Sequence, residues 1–401
     1  MADSGPLEGE NPFEGLPLFG DLAKMLGQEG SVSWAAAGQL AMSIATEGDS
    51  EANVDPMARI ALEELARVAD LNVAQATGLS TSTTGIKVAG VTRTQWVQRS
   101  LDAYKPRFER LAQSLGEVED PDDGGEPDEA MSEGALLGGL MKMMTPMMLG
   151  VTAGSMIGHL ARRSFGQYDL PIPRPPGDEL MLIVANIDEF GAEWSLPTDD
   201  LRLWVCLHEL AHHAVLNVAE VRTRLLTLLD EFAGGFAADG SGLESKLAEL
   251  DPTDAQSLEG IQSMLGDPEV LLGVIQTPAQ EATLAHLEAL VAVIVGYVDH
   301  TMDEIGEGLI SSYAMVTEAV RRRRVSEDPS NRFVERLLGL EMGQATYDRG
   351  AAFIGGVVER VGASGLARLW TSPDHLPTPA EVDAPGLWLA RIDLPDAAPP
   401  A

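Results

Sequence analysis

Apolar residues recur at three- and four-residue steps along most of this chain, the spacing of helices that bury one face. Trp34 to Ile44 is one such segment. Asp55-Pro56 opens a second, which runs through Leu62 and Leu65 to about Ala76 and has its proline where a first helical turn accepts one. Thr92 to Leu115 holds a third, with Trp96, Leu101, Tyr104 and Phe108 apolar, so that Val32 to about Gly116 reads as helical throughout. The period changes at Leu180 to Ala185. This short, continuous, partly β-branched run lies between Asp178-Glu179 and Asn186 and reads as a strand. Helical spacing returns with Leu201, Trp204, Val205, His208, Leu210, Ala211, His212 and Val215. Pro197-Thr198-Asp199-Asp200 before it predicts a helix start, with Thr198 as N-cap and two acids in the first turn.

Val221 to Phe232 continues the helical pattern, and Thr277-Pro278 opens a long helix over about Ala279 to Ile305 that Gly306 and Gly308 end or weaken. Glu288, Val295 and Asp299 share one face of it, at steps of seven and four. Phe333 to Val361 gives two more helical segments, and Pro377-Thr378-Pro379 leads to a last short helix with Trp388. The expected fold is mainly α, a multi-helix body with one short strand or small sheet before the helix at 201–215.

The breaks in the pattern divide the chain. Residues 1–30 read as a loose arm, 31–394 as a single helical domain and 395–401 as a disordered tail. Within the domain, 117–133 is acidic, rich in Pro and Gly, and expected to be a mobile loop, while 238–268 reads as a peripheral helical insert. The Met- and Gly-rich stretch 135–160 is the one membrane candidate. Its charge-free core is short and interrupted by Pro146, so a buried central helix is expected and no membrane span.

Charge narrows the partners. Sixty-two acidic residues stand against 27 basic ones, a formal net charge of −35, which repels nucleic acid and anionic membrane surfaces. The four-residue run Arg321 to Arg324 is then read as balancing nearby acids on a solvated helix. The single cysteine, Cys206, allows no internal disulfide and reads as a small buried hydrophobe. With no basic and apolar leader at the N-terminus, the expected location is the cytoplasm.

Candidate chemistry sits in His208-Glu209-Leu210-Ala211-His212. Residues four apart lie one above the other on a helix, so His208 and His212 can present ring nitrogens to one metal ion, as in zinc metallopeptidases. Glu209, one residue round, can take the proton of a metal-bound water. A buried helix whose histidines only form hydrogen bonds is the other reading of the same residues. His213 falls five residues from His208 and reads as a neighbour in the site wall.

A wider set of residues carries a resemblance. Asn11-Pro12-Phe13, Asn53-Val54-Asp55-Pro56, Leu62-Glu63-Glu64-Leu65-Ala66, Ala76-Thr77-Gly78-Leu79 and Gly166-Gln167-Tyr168-Asp169-Leu170-Pro171 precede or lead to the motif. Gly296-Tyr297-Val298-Asp299-His300, Tyr347-Asp348-Arg349-Gly350, Leu369-Trp370-Thr371-Ser372-Pro373 and Leu376-Pro377-Thr378 follow it. In this ordered set the chain resembles a zincin-like family of proposed zinc-dependent metalloproteases of actinobacterial type, one branch of which carries a deazaflavin-coenzyme biosynthesis label. The resemblance implies a mostly helical, cytoplasmic, single-chain zincin-like body and little about the substrate; Zn2+ as cofactor and a peptide or protein as substrate are what the His208–His212 motif itself suggests.

The same resemblance exposes a departure. The family pattern has a ligand Glu before Gly296, and this chain has Val295, which ligates nothing. Asp299 is then the candidate third ligand beside His208 and His212, with His300 and Glu288 as alternatives and Glu209 as the base. Two function classes follow: a zinc metallopeptidase or similar hydrolase using a metal-activated water, and a catalytically inactive zincin-like protein acting as a binding or regulatory module. Tyr297 is read either as an oxyanion donor or as a packed helix aromatic.

Overall fold

The computed structural model describes residues 31–81, 85–116, 129–175, 177, 179–235, 278–324, 335, 338–340 and 342–394, with the side chains of 114–145 outside that description. The arm 1–30, most of the acidic loop 117–133, the insert 238–268, the first of the two segments in 333–361 and the tail 395–401 were singled out in the sequence and lie wholly or largely outside these residues.

The N-terminal half runs α1 (Trp34–Thr46), α2 (Pro56–Thr77), β1 (Lys87–Val91), α3 (Arg93–Gly116), α4 (Glu129–Arg163) and β2 (Glu179–Ile183). The local chemistry explains the boundaries. Asp55 caps α2 by accepting from the Met57 N–H at 2.9 Å, and Gly78 closes it at a φ of +67° that a side chain would strain. Thr92 and Gln95 cap α3 reciprocally, each side chain accepting from the other's backbone N–H at 3.2 Å. Gly150, Gly154 and Gly158 of α4 press against Ser33, Ala37 and Ala41 at α1, so the described part of the Met- and Gly-rich segment packs one face on the body while Met147 and Val151 stay exposed.

The second half runs α5 (Val184–Glu193), α6 (Thr198–Leu216), α7 (Ala219–Gly234), α8 (Pro278–Leu309), α9 (Tyr313–Arg324) and α10 (Gln344–Val361), then short 3-10 turns, α11 (Pro379–Asp383) and α12 (Pro385–Ile392). The fold is mainly α with a small two-stranded parallel sheet, as the periodicity predicts. β1 pairs with β2 in the register Lys87 to Glu179 through Val91 to Ile183.

The core gathers on α6. It is buried along almost its whole length and packs against α2, α5, α7, α8 and α9, with Leu62, Ala66, Ala69 and Val73 of α2 turned inward. α8 is long and apolar enough to cross a membrane by length and composition alone, yet most of it is buried in the body. α8 and α10 touch backbone to backbone. A Cβ on Gly350 would sit 2.1 Å from the Ala292 carbonyl oxygen, and one on Gly296 2.4 Å from the Gly350 carbonyl carbon. Gly350→Val is expected to wedge the two helices apart and cost about 3 kcal/mol, read as a shift of the urea midpoint at unchanged slope. An unmoved midpoint would mean the helices are not in contact there.

Several sequence expectations need correction. β1 lies in a stretch read as all helix, because Lys87–Val91 is short and its alternation is hidden between two strongly periodic helices. The strand at 180–185 ends at Ile183, and Val184 begins α5. Thr198 is the first helical residue, with Pro197 at the cap, and its hydroxyl caps nothing. α8 passes through Gly306 to Leu309, since the Tyr313 ring packs onto the bare glycine.

Candidate functional site

α6 carries His208, Glu209, His212 and His213 into the centre of the body, and each finds a different partner. The His212 ring is neutral, with its pKa lowered to about 3 by burial and then by the nearby His208. Its Nδ1 lies 3.0 Å from the His208 carbonyl oxygen, which can only accept, so the proton sits on Nδ1 and Nε2 keeps its lone pair. The two imidazole centroids are 4.4 Å apart. His213 turns aside: Nδ1 meets the Tyr168 hydroxyl at 2.8 Å and Nε2 the Asn217 amide at 2.7 Å.

Glu209 is 2% exposed. Its Oε2 accepts from the backbone N–H of Gln167 at 2.7 Å and of Tyr168 at 3.0 Å, which ties α6 to the connection between α4 and β2. Burial raises its carboxyl pKa to about 7 against the pull of His212 and of those two N–H donors. Gly166 makes room for it, since a Cβ there would lie 2.5 Å from the Glu209 carboxyl carbon.

His208 stacks on Trp204 at 5.0 Å and 13°. Its Nε2 lies 3.0 Å from Nη2 of Arg324, the last residue of α9. A guanidinium only donates, so Nε2 accepts and the His208 proton rests on Nδ1. Burial, and then the Arg324 charge, lowers the His208 pKa to about 3. The other arm of the guanidinium holds Asp299 of α8, with Nη1 2.9 and 3.0 Å from the two carboxylate oxygens. The Tyr347 ring of α10 lies under the same guanidinium at 4.8 Å. Burial would lower the Arg324 pKa, but Asp299 more than offsets it and holds the charge in place. Behind this group Asp169 bridges Arg163 at 2.8 Å and Arg323 at 4.0 Å, and Arg323 stacks on Phe165 at 3.7 Å. Burial raises the Asp169 carboxyl, and the two arginines more than reverse that.

The structure therefore brings His208, His212 and Glu209 together on α6 and joins Asp299 to His208 through Arg324. Val295 is buried one turn before Asp299 on α8. His300 and Glu288 lie on the same helix, and among the described residues no three His, Cys, Asp or Glu side chains group as metal ligands. Tyr297 is buried and packs edge-on against Trp370 at 5.0 Å. Sequence reading missed Arg324 and Tyr347. The arginine run was visible, but helical geometry separates its two halves by about 200°. Arg321 and Arg322 stay outside on Asp303 and Glu318, while Arg323 and Arg324 turn into the site.

A family profile of zincin-like metallopeptidases matches residues 32–389. The chain belongs to the zincin-like metallopeptidase family. A crystal structure from Chloroflexus aurantiacus, described as a proposed hydrolase with a novel fold, is similar at a TM-score of 0.59 and 22% identity, covering 91% of this chain and 99% of that one. The likeness shows a shared fold. No curated protein matches the chain.

This zincin-like family implies zinc, and the donor set can be tested against it. A catalytic zinc takes three protein ligands and a water. Of the histidine pair, Nε2 of His212 is open and Nε2 of His208 already accepts from Arg324; His300 has a buried Nε2 with no hydrogen-bond partner, but among the described residues it groups with no two other ligand side chains. Asp299 spends both oxygens on the same arginine, and Val295, one turn before it, offers no donor. The residues present do not fit a catalytic zinc ion.

Proposed function

We propose that this protein is a catalytically inactive zincin-like protein that acts as a binding or regulatory module for a protein or peptide partner. The observation that carries this reading is Asp299. The Arg324 guanidinium that ties it to His208 engages both its oxygens. Glu209 supports it, because its Oε2 holds the backbone of Gln167 and Tyr168, leaving that oxygen committed to the fold. The net charge of −35 disfavours nucleic acid as the partner, and a single buried cysteine suits the cytoplasm.

One feature favours the second reading, a zinc-dependent metallopeptidase or hydrolase. His212 has the proton arrangement of a ligand histidine, with Nδ1–H on a backbone carbonyl and Nε2 available. In that reading His208 and His212 hold zinc, Asp299 leaves Arg324 to become the third ligand, and Glu209 takes the water proton. The two are separated by the metal content of the purified, untagged chain, beside peptide hydrolysis with and without added zinc. Expected are a zinc content well below one per chain and no zinc-dependent hydrolysis. Stoichiometric zinc that is lost in His208→Ala, with hydrolysis lost in Glu209→Gln, would overturn the proposal in favour of the hydrolase.

A further inference from the structure

We infer that the Arg324 guanidinium is a built-in replacement for the metal ion: it takes the acceptors that a zinc would take and thereby keeps divalent cations out of the His208–His212 pair. The inference rests on the reading above and goes further, since a lost ligand alone would leave a weak zinc site, whereas an installed cation closes it.

The geometry is that of a substituted charge. A zincin site needs a positive centre held between imidazole nitrogen and carboxylate oxygen. Arg324 supplies one, 3.0 Å from His208 Nε2 and 2.9 and 3.0 Å from the Asp299 oxygens. The planar fork suits this task, with Nη1 shared between the two carboxylate oxygens and Nη2 on the ring. It is fixed on its faces as well, with Tyr347 at 4.8 Å and Trp204 at 6.0 Å. The side chain is 16% exposed, so leaving the site would mean giving up these partners together.

Two elements make the arrangement self-consistent. Val295 removes the carboxylate that would otherwise compete for a metal beside the arginine. Asp169 and Glu335 face Arg163 and Arg323 behind the site, so that Arg324 and Asp299 are left to neutralise each other. A divalent cation entering this space would meet the guanidinium at the lone pair of His208, and the repulsion of two cations at contact distance in a largely buried site exceeds what one remaining imidazole returns.

The test is zinc titration by calorimetry, repeated with cobalt so that the visible absorption reports on imidazole coordination. The proteins are the parent chain, Val295→Glu, and Val295→Glu with Arg324→Ala. The parent reads the proposed function: stoichiometric zinc there overturns that reading. The inference is read from the ratio between the two variants. Removal of Arg324 is expected to raise zinc affinity by about tenfold or more over Val295→Glu alone. A cobalt band that disappears with a further His212→Ala is expected in the variant lacking Arg324. Equal affinity in the two variants, whether tight or absent, overturns the inference. Circular dichroism and thermal unfolding establish that each variant is folded. Should Arg324→Ala fail to fold, Arg324→Gln keeps a donor toward His208 and removes the charge, and the same ratio decides.

Discussion

As the pH is lowered from about 6 to about 4, the wild-type protein is expected to lose stability more steeply than the His208→Gln/His212→Gln variant, by roughly 2.7 kcal/mol per pH unit, the slope of two protons. Burial holds both histidines at about 3, helped by Arg324 at His208 and by His208 at His212, against an ordinary value of 6.5. In the folded state they stay neutral where the unfolded chain binds two protons. This stability is fully present above the ordinary value and is lost as the pH falls towards the folded one. Glu209 works the other way. Its folded pKa of about 7 exceeds the ordinary 4.5, so its contribution is present at low pH and lost as the pH rises between those values. The double variant keeps Glu209 and the acidic surface, so the difference between the two curves isolates the histidines. Urea midpoints at a series of pH values provide the measurement. Parallel curves would mean that the imidazoles are solvated and protonate freely.

The helices were legible because their signal is local. Periodic segments such as Pro56–Thr77 and Thr198–Leu216 carry the buried face in the sequence itself, and Asp55 marks the start of the first. β1 was not, because a five-residue strand is defined by its partner, and Glu179–Ile183 lies some ninety residues on. The site divides in the same way. The pairing of His208 with His212 follows from a four-residue spacing on one helix. That Val295 stands on the ligand face beside Asp299 follows from spacing on another. What spacing cannot give is the crossing of α9 over α6 and α8, which delivers Arg324 to His208 and Asp299. An arginine at the end of a basic run looks solvated until a tertiary contact places it inside. The role of Glu209 was hidden for the same reason, since its donors are backbone N–H groups of Gln167 and Tyr168, and backbone leaves no trace in a motif.

That role gives the second large effect. Glu209→Ala is expected to destabilise the protein by about 4 kcal/mol, because the buried N–H groups of Gln167 and Tyr168 lose their acceptor and the side chain leaves a void. Glu209→Gln keeps a carbonyl oxygen for the same two donors and should cost about 1 kcal/mol. Gly166 supplies the control. A methyl at Gly166 would collide with the Glu209 carboxyl, 2.5 Å away, so Gly166→Ala should be costly in the wild type and far cheaper once Glu209 is alanine. This non-additivity in a double-mutant cycle, read by denaturant unfolding, is specific to a carboxylate seated on the Gly166–Tyr168 backbone. A carboxylate turned instead toward a catalytic water would leave stability unchanged in Glu209→Ala and the two substitutions additive. The cycle therefore tests Glu209 as an anchor without requiring that any substrate be known.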